Sequence, residues 1–401
     1  MTQPNLFADQ RLRMDESISM TVHSLNSYGP RYDHWAIAWS GGKDSTTLLT
    51  LLIHLLETGQ VARPKTLTVC YADTRMELTP LAVNAQIIIR ELKDRGIDVR
   101  TVMAPLDKRF LVYILGRGVP PPNNNTLRWC TRQIKVDPME SELKTLHGEV
   151  GKKVLMLTGV RQGESAIRDG RIAMSCGRDG GECGQGWYQQ MEGASCATLA
   201  PILHWRVCHV WDWLMFNAPG QEYGGWPTAE LAEAYGGDEA QEINARTGCI
   251  GCPLAQRDTA LDTILENPRW AYLSPLKDLR SIYRDLREPQ NRLRKPGGET
   301  RKDGTLVDNQ HRMGPLTFEA RRNALARLLN IQARINVSAI HQGRPLLDIL
   351  NAEEVARIEE LIAAGTWPNR WTGDEPIADQ PYHEDVCGGQ MSLFTSMEVQ
   401  P

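Results

Sequence analysis

The chain has 401 residues, of which 41% are hydrophobic and 23% are charged, and its formal net charge is −4. This composition is typical of a globular protein with room for a large and a smaller domain, so wholesale disorder is excluded. Because the net charge is negative, any contact with nucleic acid must come from local basic patches. The N-terminal residues lack the apolar centre of a signal peptide, and no apolar run approaches the roughly 20 residues that span a bilayer. We therefore expect a cytoplasmic protein without membrane contact.

Apolar and amphipathic segments alternate through the first half of the chain. The apolar runs predict buried strands, and the amphipathic segments predict helices. The strand candidates are residues 35–39, 67–73, 97–105 and 154–160, and the helix candidates are residues 12–28, 46–58 and 78–95. This alternation predicts a doubly wound, mostly parallel α/β sheet. Ligands of such sheets bind at the carboxyl ends of the strands, so the residues after each strand should share one cleft.

The pattern changes after residue 255, where helical periodicity surrounds a basic loop. A Gly- and Cys-rich insert lies earlier, at about residues 170–198. We predict an α/β domain over residues 1–255, a helical extension over residues 256–375 and a loose tail over residues 376–401.

The segment SGGKDS, Ser40–Ser45, separates the first apolar strand from an amphipathic helix. Gly41 and Gly42 allow a sharp turn that exposes backbone N–H groups, and the helix start adds the positive end of its dipole. Lys43 contributes a point charge, whereas Asp44 beside a polyphosphate implies Mg²⁺. The spacing is shorter than that of a Walker A loop. The alternative is a glycine turn in which Asp44 is an ordinary N-cap.

This strand, loop and helix resemble the PP-motif of N-type ATP pyrophosphatases, which include PAPS reductases and tRNA thiolases. Such enzymes have the PP-loop fold, similar to that of the adenine nucleotide alpha hydrolases. They cleave ATP between the α- and β-phosphates and pass AMP to an oxygen. The resemblance implies that Lys43 and Asp44 are catalytic. The ATP-binding set that it implies is Ser40, Gly41, Gly42, Lys43, Asp44, Ser45, Asp73, Thr74, Gly159 and Arg161.

A second resemblance covers most of the chain. Residues 128–139, 159–168, 246–254 and 314–329 follow in the order found in the sulfurtransferases of bacterial DNA phosphorothioation, the DndC/SspD type, which are PAPS-reductase-like. The helical extension favours this branch, since plain PAPS reductases lack it. The resemblance implies that ATP adenylylates a non-bridging oxygen of a DNA phosphodiester and that AMP leaves as sulfur arrives. It also implies a cysteine desulfurase as sulfur donor and further DNA-modification proteins as partners.

The nine cysteines include one C-x-x-C pair, Cys249 and Cys252. Disulfides are rare in the cytosol, so metal ligation or sulfur chemistry is the better interpretation. The resemblance brings Cys130 to this pair as a third thiolate and as a catalytic residue, and the three would hold a [4Fe–4S] cluster with one open iron. The fourth ligand is either missing or comes from the insert, where Cys196 is the candidate that we take forward and Cys176 and Cys183 are the others.

Three other interpretations of the cysteines stay open. The C-x-x-C pair and Cys130 would also suit a zinc site with one more thiol. Without any metal, Cys249 and Cys252 would alternate between persulfide and disulfide. Cys70 and Cys208 lie in apolar runs and are predicted to be buried and inert.

Several basic residues are candidates for binding phosphate or substrate. Arg168 follows the fourth strand together with Arg161, and arginine suits bidentate phosphate recognition. Arg128 and Arg132 flank Cys130, where they would either lower its pKa or be solvated. The run Lys277–Lys302 would follow a DNA backbone or form a solvated surface. We predict that four tryptophans lie in the core, namely Trp187, Trp205, Trp211 and Trp213. We predict a structural role for His204 and His209.

Three alternative functions share the same motifs. A PAPS or APS reductase would need a nucleophilic cysteine and a thioredoxin partner, and the sequence around Cys387 does not resemble the C-terminal motif that supplies it. A tRNA thiolase would combine the same loop with C-x-x-C, although no RNA-binding module is recognisable. A non-enzymatic adaptor that senses nucleotide would release no pyrophosphate.

Overall fold

The computed structural model describes residues 12–123, 128–163, 187–190, 194–235, 248–301 and 303–379. The α-helices in this part of the chain are α1 (Met14–Tyr28), α2 (Lys43–Glu57), α3 (Thr79–Asp94), α4 (Asp137–Val150), α5 (Val207–Asp212), α6 (Thr259–Glu266), α7 (Leu279–Asp285), α8 (Phe318–Gln342) and α9 (Ala352–Ala363). The strands are β1 (His34–Trp39), β2 (Thr66–Ala72), β3 (Asp98–Val102), β4 (Val154–Thr158), β5 (Trp187–Gln189), β6 (Cys196–Ala200), β7 (Arg292–Arg294) and β8 (Met313–Leu316). Among the helices described, none is long and apolar enough to cross a membrane.

Six of these strands form one sheet in the order β3-β2-β1-β4-β6-β5. Five are parallel, and the edge strand β5 runs antiparallel to β6. In the register of the sheet, Trp35 lies between Leu67 of β2 and Leu155 of β4. The predicted α/β fold with a mostly parallel sheet is confirmed, as is a helical C-terminal region. The chain order reverses between β1 and β4, and ligands of open α/β sheets bind at such a reversal.

Helix α2 is buried on almost every side, since 12 of its 15 residues are buried. Two indole N–H groups bind hydroxyl groups on successive turns of this helix. Trp39 donates to the hydroxyl of Thr46, and Trp213 donates to that of Thr50, both at 2.9 Å. A helix held in this way keeps its first turn, where the predicted phosphate loop ends, in a fixed position relative to β1.

The aromatic residues after β6 belong to the core, as the sequence predicts. Trp205, Trp211 and Trp213 are at most 1% exposed, while Trp187 is partly buried in β5. The ring nitrogens of His204 and His209 bond to the backbone oxygens of residues in and next to α1, both at 2.9 Å. Their predicted structural role fits these contacts.

The chain forms two compact units. The first comprises residues 1–110, 122–279 and 331–349, and the second comprises residues 111–121, 280–330 and 350–401. The first unit contains the six-stranded sheet, and the second contains the antiparallel pair β7–β8. The first unit gives way to the second between residues 279 and 280. This division does not test the domain boundary predicted near residue 255 or the tail predicted from residue 376, so both stay predictions.

A fully buried arginine organises the second unit. Arg321 donates to the carbonyl oxygens of Leu316 at 3.0 Å and Thr366 at 2.8 Å. Its guanidinium carbon lies 4.6 Å and 4.4 Å from the ring centres of Phe318 and Trp367. Burial lowers the pKa of Arg321 to about 9. The conspicuous segment at residues 314–329 therefore has a packing role around this side chain.

Several cations of the run Lys277–Lys302 are occupied within the protein. The guanidinium of Arg292 donates to the carbonyl of Gly314 at 2.7 Å and 2.9 Å, and burial lowers its pKa to about 10. Lys295 is buried and lies 2.7 Å from a carboxylate oxygen of Glu375. These side chains stabilise the second unit. Neither interpretation of the run from its sequence, contact with a DNA backbone or a solvated surface, predicts this role.

Gly118→Ala should destabilise the second unit more than Gly298→Ala does. Both glycines have φ of +75°, but a Cβ at residue 118 would overlap the guanidinium of Arg321, whereas one at residue 298 meets nothing within 4 Å. We expect a loss of about 2–4 kcal/mol at residue 118 and about 1 kcal/mol at residue 298. Urea denaturation of both variants measures this difference, and equal losses would contradict the packing account.

Candidate active site

The loop after β1 is closed by its own hydroxyl groups. Gly41 has φ of +72°, a conformation that favours glycine. The Ser45 hydroxyl accepts from the Ser40 N–H at 3.3 Å and donates to the Gly42 carbonyl at 3.1 Å. The N-cap of α2 is Gly42, with no side-chain cap hydrogen bond, so the alternative in which Asp44 is an ordinary N-cap is wrong.

Two buried cations share one carboxylate at the start of α2. Asp44 Oδ2 lies 3.0 Å from Lys43 Nζ, and Asp44 Oδ1 lies 2.5 Å from Arg161 Nε. Lys43 is 6% exposed and Arg161 is 3% exposed. Arg161 also donates to the carbonyl of Trp205 at 3.2 Å. The structure thus brings three of the predicted nucleotide-binding residues together, although their roles stay predictions.

Gly159 lets β4 approach the first turn of α2. A Cβ at this residue would lie 2.8 Å from the backbone carbon and oxygen of Asp44 and from the Cα of Ser45. No side chain fits there without moving the loop. Gly159 therefore sets the distance between β4 and the Ser40–Ser45 loop, and with it the position of Arg161.

The loop after β2 holds itself together. The Thr74 hydroxyl donates to Glu77 Oε1 at 2.5 Å, and the Thr74 N–H donates to the same carboxylate at 3.2 Å. Asp73 accepts from the backbone N–H of Arg75 at 2.8 Å, and Arg75 has φ of +62°. Burial raises the pKa of Glu77, and the hydrogen bonds from Thr74 oppose that shift. The contacts of Asp73 and Thr74 described here are structural, and their role beside adenosine stays a prediction.

A backbone hydrogen bond joins the C-x-x-C turn to the loop after β2. Ile250 N–H donates to the carbonyl of Met76 at 2.8 Å. Burial raises the pKa of Cys249 to about 11, whereas Lys135 lowers it, and the thiols of Cys252 and Cys130 raise it further. The three thiols therefore influence one another electrostatically, and the joint role that the resemblance implies for them stays a prediction.

Of the two alternatives for Arg128 and Arg132, the structure favours solvated side chains over groups that lower the pKa of Cys130. Burial raises the pKa of this thiol, and the groups that oppose the shift are hydrogen bonds at Thr131 and not arginines. Arg128 and Arg132 are exposed, and Arg132 lies 3.0 Å from Asp137. Exposed guanidinium groups paired in solvent have little effect on a half-buried thiol. Any contact of these arginines with substrate stays a prediction.

The structure does not bring Cys196 to the three thiols. Cys196 begins β6 and pairs with Val154, the first residue of β4, so it lies at the amino edge of the sheet. The thiols lie near the carboxyl edge, and a strand of this length places about 13 Å between the two edges. Cys196 is therefore not placed to be a fourth ligand beside the three thiols. Arg168, Cys176, Cys183 and Cys387 fall outside the described residues.

As arranged, the described residues do not fit a metal or cluster site. Within the described ranges, no three His, Cys, Asp or Glu side chains form a group that could hold a metal ion. The [4Fe–4S] cluster and the zinc site stay predictions from the sequence. Asp44 already pairs with two cations, which gives a reason for a carboxylate in the loop other than Mg²⁺.

The two cysteines predicted to be inert have different environments. Cys70 is fully buried, and burial raises its pKa to about 12, as expected for an inert thiol. Cys208 is exposed on α5, so its predicted burial is wrong. An apolar neighbourhood in the sequence does not decide which face of a helix a residue occupies.

Sequence reasoning missed two contributors to the site. Tyr235 accepts a hydrogen bond from the backbone N–H of Lys43 at 3.2 Å, across 192 residues of sequence. Glu77 organises the loop after β2. Tyr235 has no signal in the sequence, while the T-x-x-E spacing of Thr74 and Glu77 is a recognisable local pattern.

The model of the phosphoadenosine phosphosulfate reductase domain matches residues 34–218. This match covers the whole six-stranded sheet, the Ser40–Ser45 loop, Arg161 and Cys130, and it ends before the C-x-x-C turn.

Individual relatives are distant. An uncharacterised protein of Methanocaldococcus jannaschii is 24% identical over 220 residues, which are 54% of this chain and 41% of that protein, so the match spans about two fifths of the relative. The crystal structure of Candida glabrata FMN adenylyltransferase with FMN and the ATP analogue AMPCPP is 16% identical, with a TM-score of 0.36 over 56% of this chain and 61% of that one. The PAPS reductase of Candida auris in a phosphate complex is 12% identical, with a TM-score of 0.32 over 55% and 92% of the two chains.

Cys249 should react with iodoacetamide much more slowly than Cys208 at about pH 8, because only the thiolate is the nucleophile and burial keeps Cys249 protonated. With a pKa raised to about 11, its rate should keep rising as the pH passes about 9, where an ordinary thiol is already mostly ionised. Peptide mass spectrometry measures each site separately. Equal rates at about pH 8 would contradict the burial of Cys249.

Proposed function

We propose that this protein uses ATP to activate a phosphate of the DNA backbone so that sulfur can replace a non-bridging oxygen. The observation that carries the proposal is the group Lys43–Asp44–Arg161 at the start of α2, beside the crevice between β1 and β4. The three side chains together carry two positive charges and one negative charge, in a place where open α/β sheets bind ligands.

In the proposed first step, a non-bridging oxygen of the DNA phosphodiester attacks the α-phosphorus of ATP, and pyrophosphate leaves. Negative charge builds on the leaving group as the bond to the α-phosphorus breaks. The Lys43 ammonium and the α2 backbone N–H groups would stabilise that charge, which is the usual contribution of fixed cations and dipoles. Asp44 would orient Lys43 and Arg161 and limit their mutual repulsion.

In the second step, the outer sulfur of a cysteine persulfide attacks the activated phosphorus, and AMP leaves with the oxygen. A second thiol then attacks the S–S bond, which releases the phosphorothioate and leaves a protein disulfide for an external thiol reductant to reduce. Cys130, Cys249 and Cys252 are the thiols proposed to present this sulfur, since the Ile250–Met76 hydrogen bond joins their turn to the loop after β2. The sulfur would come from a cysteine desulfurase. Anaerobic purification followed by iron, sulfide and zinc analysis distinguishes a cluster, a zinc site and bare thiols.

A PAPS or APS reductase is the second candidate, favoured by the match of residues 34–218 to the phosphoadenosine phosphosulfate reductase domain. Such an enzyme would release sulfite from the sulfonucleotide and would not consume ATP. Incubation with PAPS or APS and a thiol reductant, followed by sulfite measurement, decides between the two candidates. Sulfite formation without pyrophosphate release would replace the first proposal with the second.

Asp44→Asn should abolish conversion of ATP to AMP and pyrophosphate, because it removes the charge that holds Lys43 and Arg161 in place. Asp33→Asn is a matched control: Asp33 also pairs with two cations, Lys65 at 2.9 Å and Lys152 at 2.6 Å, but at the opposite end of β1. Chromatography of the nucleotide products measures both. Release of ADP and phosphate by the wild type would show that the pyrophosphatase assignment is wrong.

DNA from cells that express this protein together with a cysteine desulfurase and the proposed DNA-modification partners should contain sulfur-bearing dinucleotides after nuclease digestion. Cells with the Asp44→Asn variant should contain none, and cells with the Asp33→Asn variant should match the wild type. Mass spectrometry of the digests measures this. Persistence of the sulfur in the Asp44 variant, or its appearance in tRNA, would contradict the DNA assignment even if the ATP chemistry stands.

A further inference from the structure

We infer that Glu77 is a positioning residue that joins the predicted nucleotide side of the site to the C-x-x-C turn. Its carboxylate holds the loop after β2, and that loop is bonded to the C-x-x-C turn. This inference rests on the proposed function, because it concerns the nucleotide and the thiols that the two proposed steps use. Glu77 itself takes no part in either step.

The Glu77 carboxylate accepts hydrogen bonds from three donors of the loop that precedes it. The Thr74 N–H lies 3.2 Å from each carboxylate oxygen, and the Thr74 hydroxyl donates to Oε1 at 2.5 Å. The Met76 N–H donates to Oε2 at 3.2 Å. An ionised carboxylate accepts at about four lone-pair positions, and its hydrogen bonds are about twice as strong as those of neutral acceptors. Glu77 therefore fixes the backbone of residues 74–76.

The same loop carries the residues predicted to lie beside adenosine. The Asp73 N–H donates to the carbonyl of Val102 at the end of β3, at 3.0 Å, and the Asp73 carboxylate accepts from the Arg75 N–H at 2.8 Å. Arg75 has φ of +62°, which is uncommon for a residue other than glycine, so contacts on both sides must hold it there. Loss of the Glu77 contacts would therefore release Asp73 and Thr74 from their present positions.

The C-x-x-C turn is bonded to a residue that Glu77 holds. The Met76 carbonyl accepts from the Ile250 N–H at 2.8 Å, and Ile250 directly follows Cys249. The Cys252 N–H donates to the Cys249 carbonyl at 3.1 Å, which closes the turn. Met76 is thus bound to Glu77 through its N–H and to the C-x-x-C turn through its carbonyl. Met76 and Ile250 are both buried, so water competes little for these backbone groups.

The test is hydrogen–deuterium exchange of the full-length protein, read by mass spectrometry in the wild type, Glu77→Ala, Glu77→Gln and Asp303→Asn. Asp303 is the matched control, since it accepts from the N–H and hydroxyl of Thr305 at 3.0 Å and 2.7 Å in the second unit. At the Ile250 amide, which bonds to Met76 and not to Glu77, we expect exchange about 10- to 100-fold faster in Glu77→Ala. Glu77→Gln keeps the shape and part of the acceptor capacity and should be intermediate. Asp303→Asn should match the wild type, and the amides of α2 should be unchanged in all variants.

The kinetics of pyrophosphate release from ATP give a second measurement that a general loss of stability would not reproduce. We expect the KM for ATP to rise about 10-fold in Glu77→Ala with kcat little changed, because the substitution removes support for the predicted adenosine loop and leaves Lys43, Asp44 and Arg161 intact. Circular dichroism and thermal unfolding verify that each variant folds.

Unchanged exchange at Ile250 in Glu77→Ala, or an unchanged KM for ATP, would overturn the inference. A rise in exchange of similar size throughout the first unit would overturn it as well, since Glu77 would then stabilise the fold in general. If the wild type yields no AMP from ATP, the proposed function fails, and the exchange at Ile250 still decides whether Glu77 positions the C-x-x-C turn.

Discussion

The buried ion group at the start of α2 is the interaction on which the candidate site depends. Lys43 and Arg161 are almost completely buried, and each lies within 3.0 Å of the Asp44 carboxylate. Removing one partner of such a group leaves uncompensated buried charge and typically costs about 3–5 kcal/mol. Asp44 is therefore needed to hold the two cations in place.

This ion group requires a precise approach of two strands and one helix. Gly159 brings the end of β4 against the first turn of α2, and the indoles of Trp39 and Trp213 hold α2 itself. Packing contacts and ion pairs therefore both hold the first turn of α2 in place. A protein built in this way can present fixed N–H groups and cations to an anion without rearranging, which is what electrostatic stabilisation of a leaving group requires.

The environment of Cys130, Cys249 and Cys252 differs from that of the ion group. The three thiols lie near one another, yet burial raises the pKa of Cys130 and of Cys249. Raised values favour the protonated thiol, whereas metal ligation and nucleophilic attack need the thiolate. A ligand that binds to one of these thiolates must therefore supply part of the free energy of deprotonation.

The sequence by itself determined the α/β class, the mostly parallel sheet and the loop that follows β1. These follow from the alternation of apolar and amphipathic segments and from SGGKDS, which are local patterns set by the period of each element and by the freedom of glycine. Local pattern also placed Trp205, Trp211 and Trp213 in the core.

Only the tertiary structure decided which side chains meet. It placed Cys196 at the amino edge of the sheet, exposed Cys208, and assigned Arg292 and Arg321 to buried backbone carbonyls. It also brought Tyr235 to Lys43 across 192 residues. The physical reason is that a local pattern fixes the type of an element, whereas contacts between distant elements depend on strand order, on helix faces and on the burial that the whole fold creates.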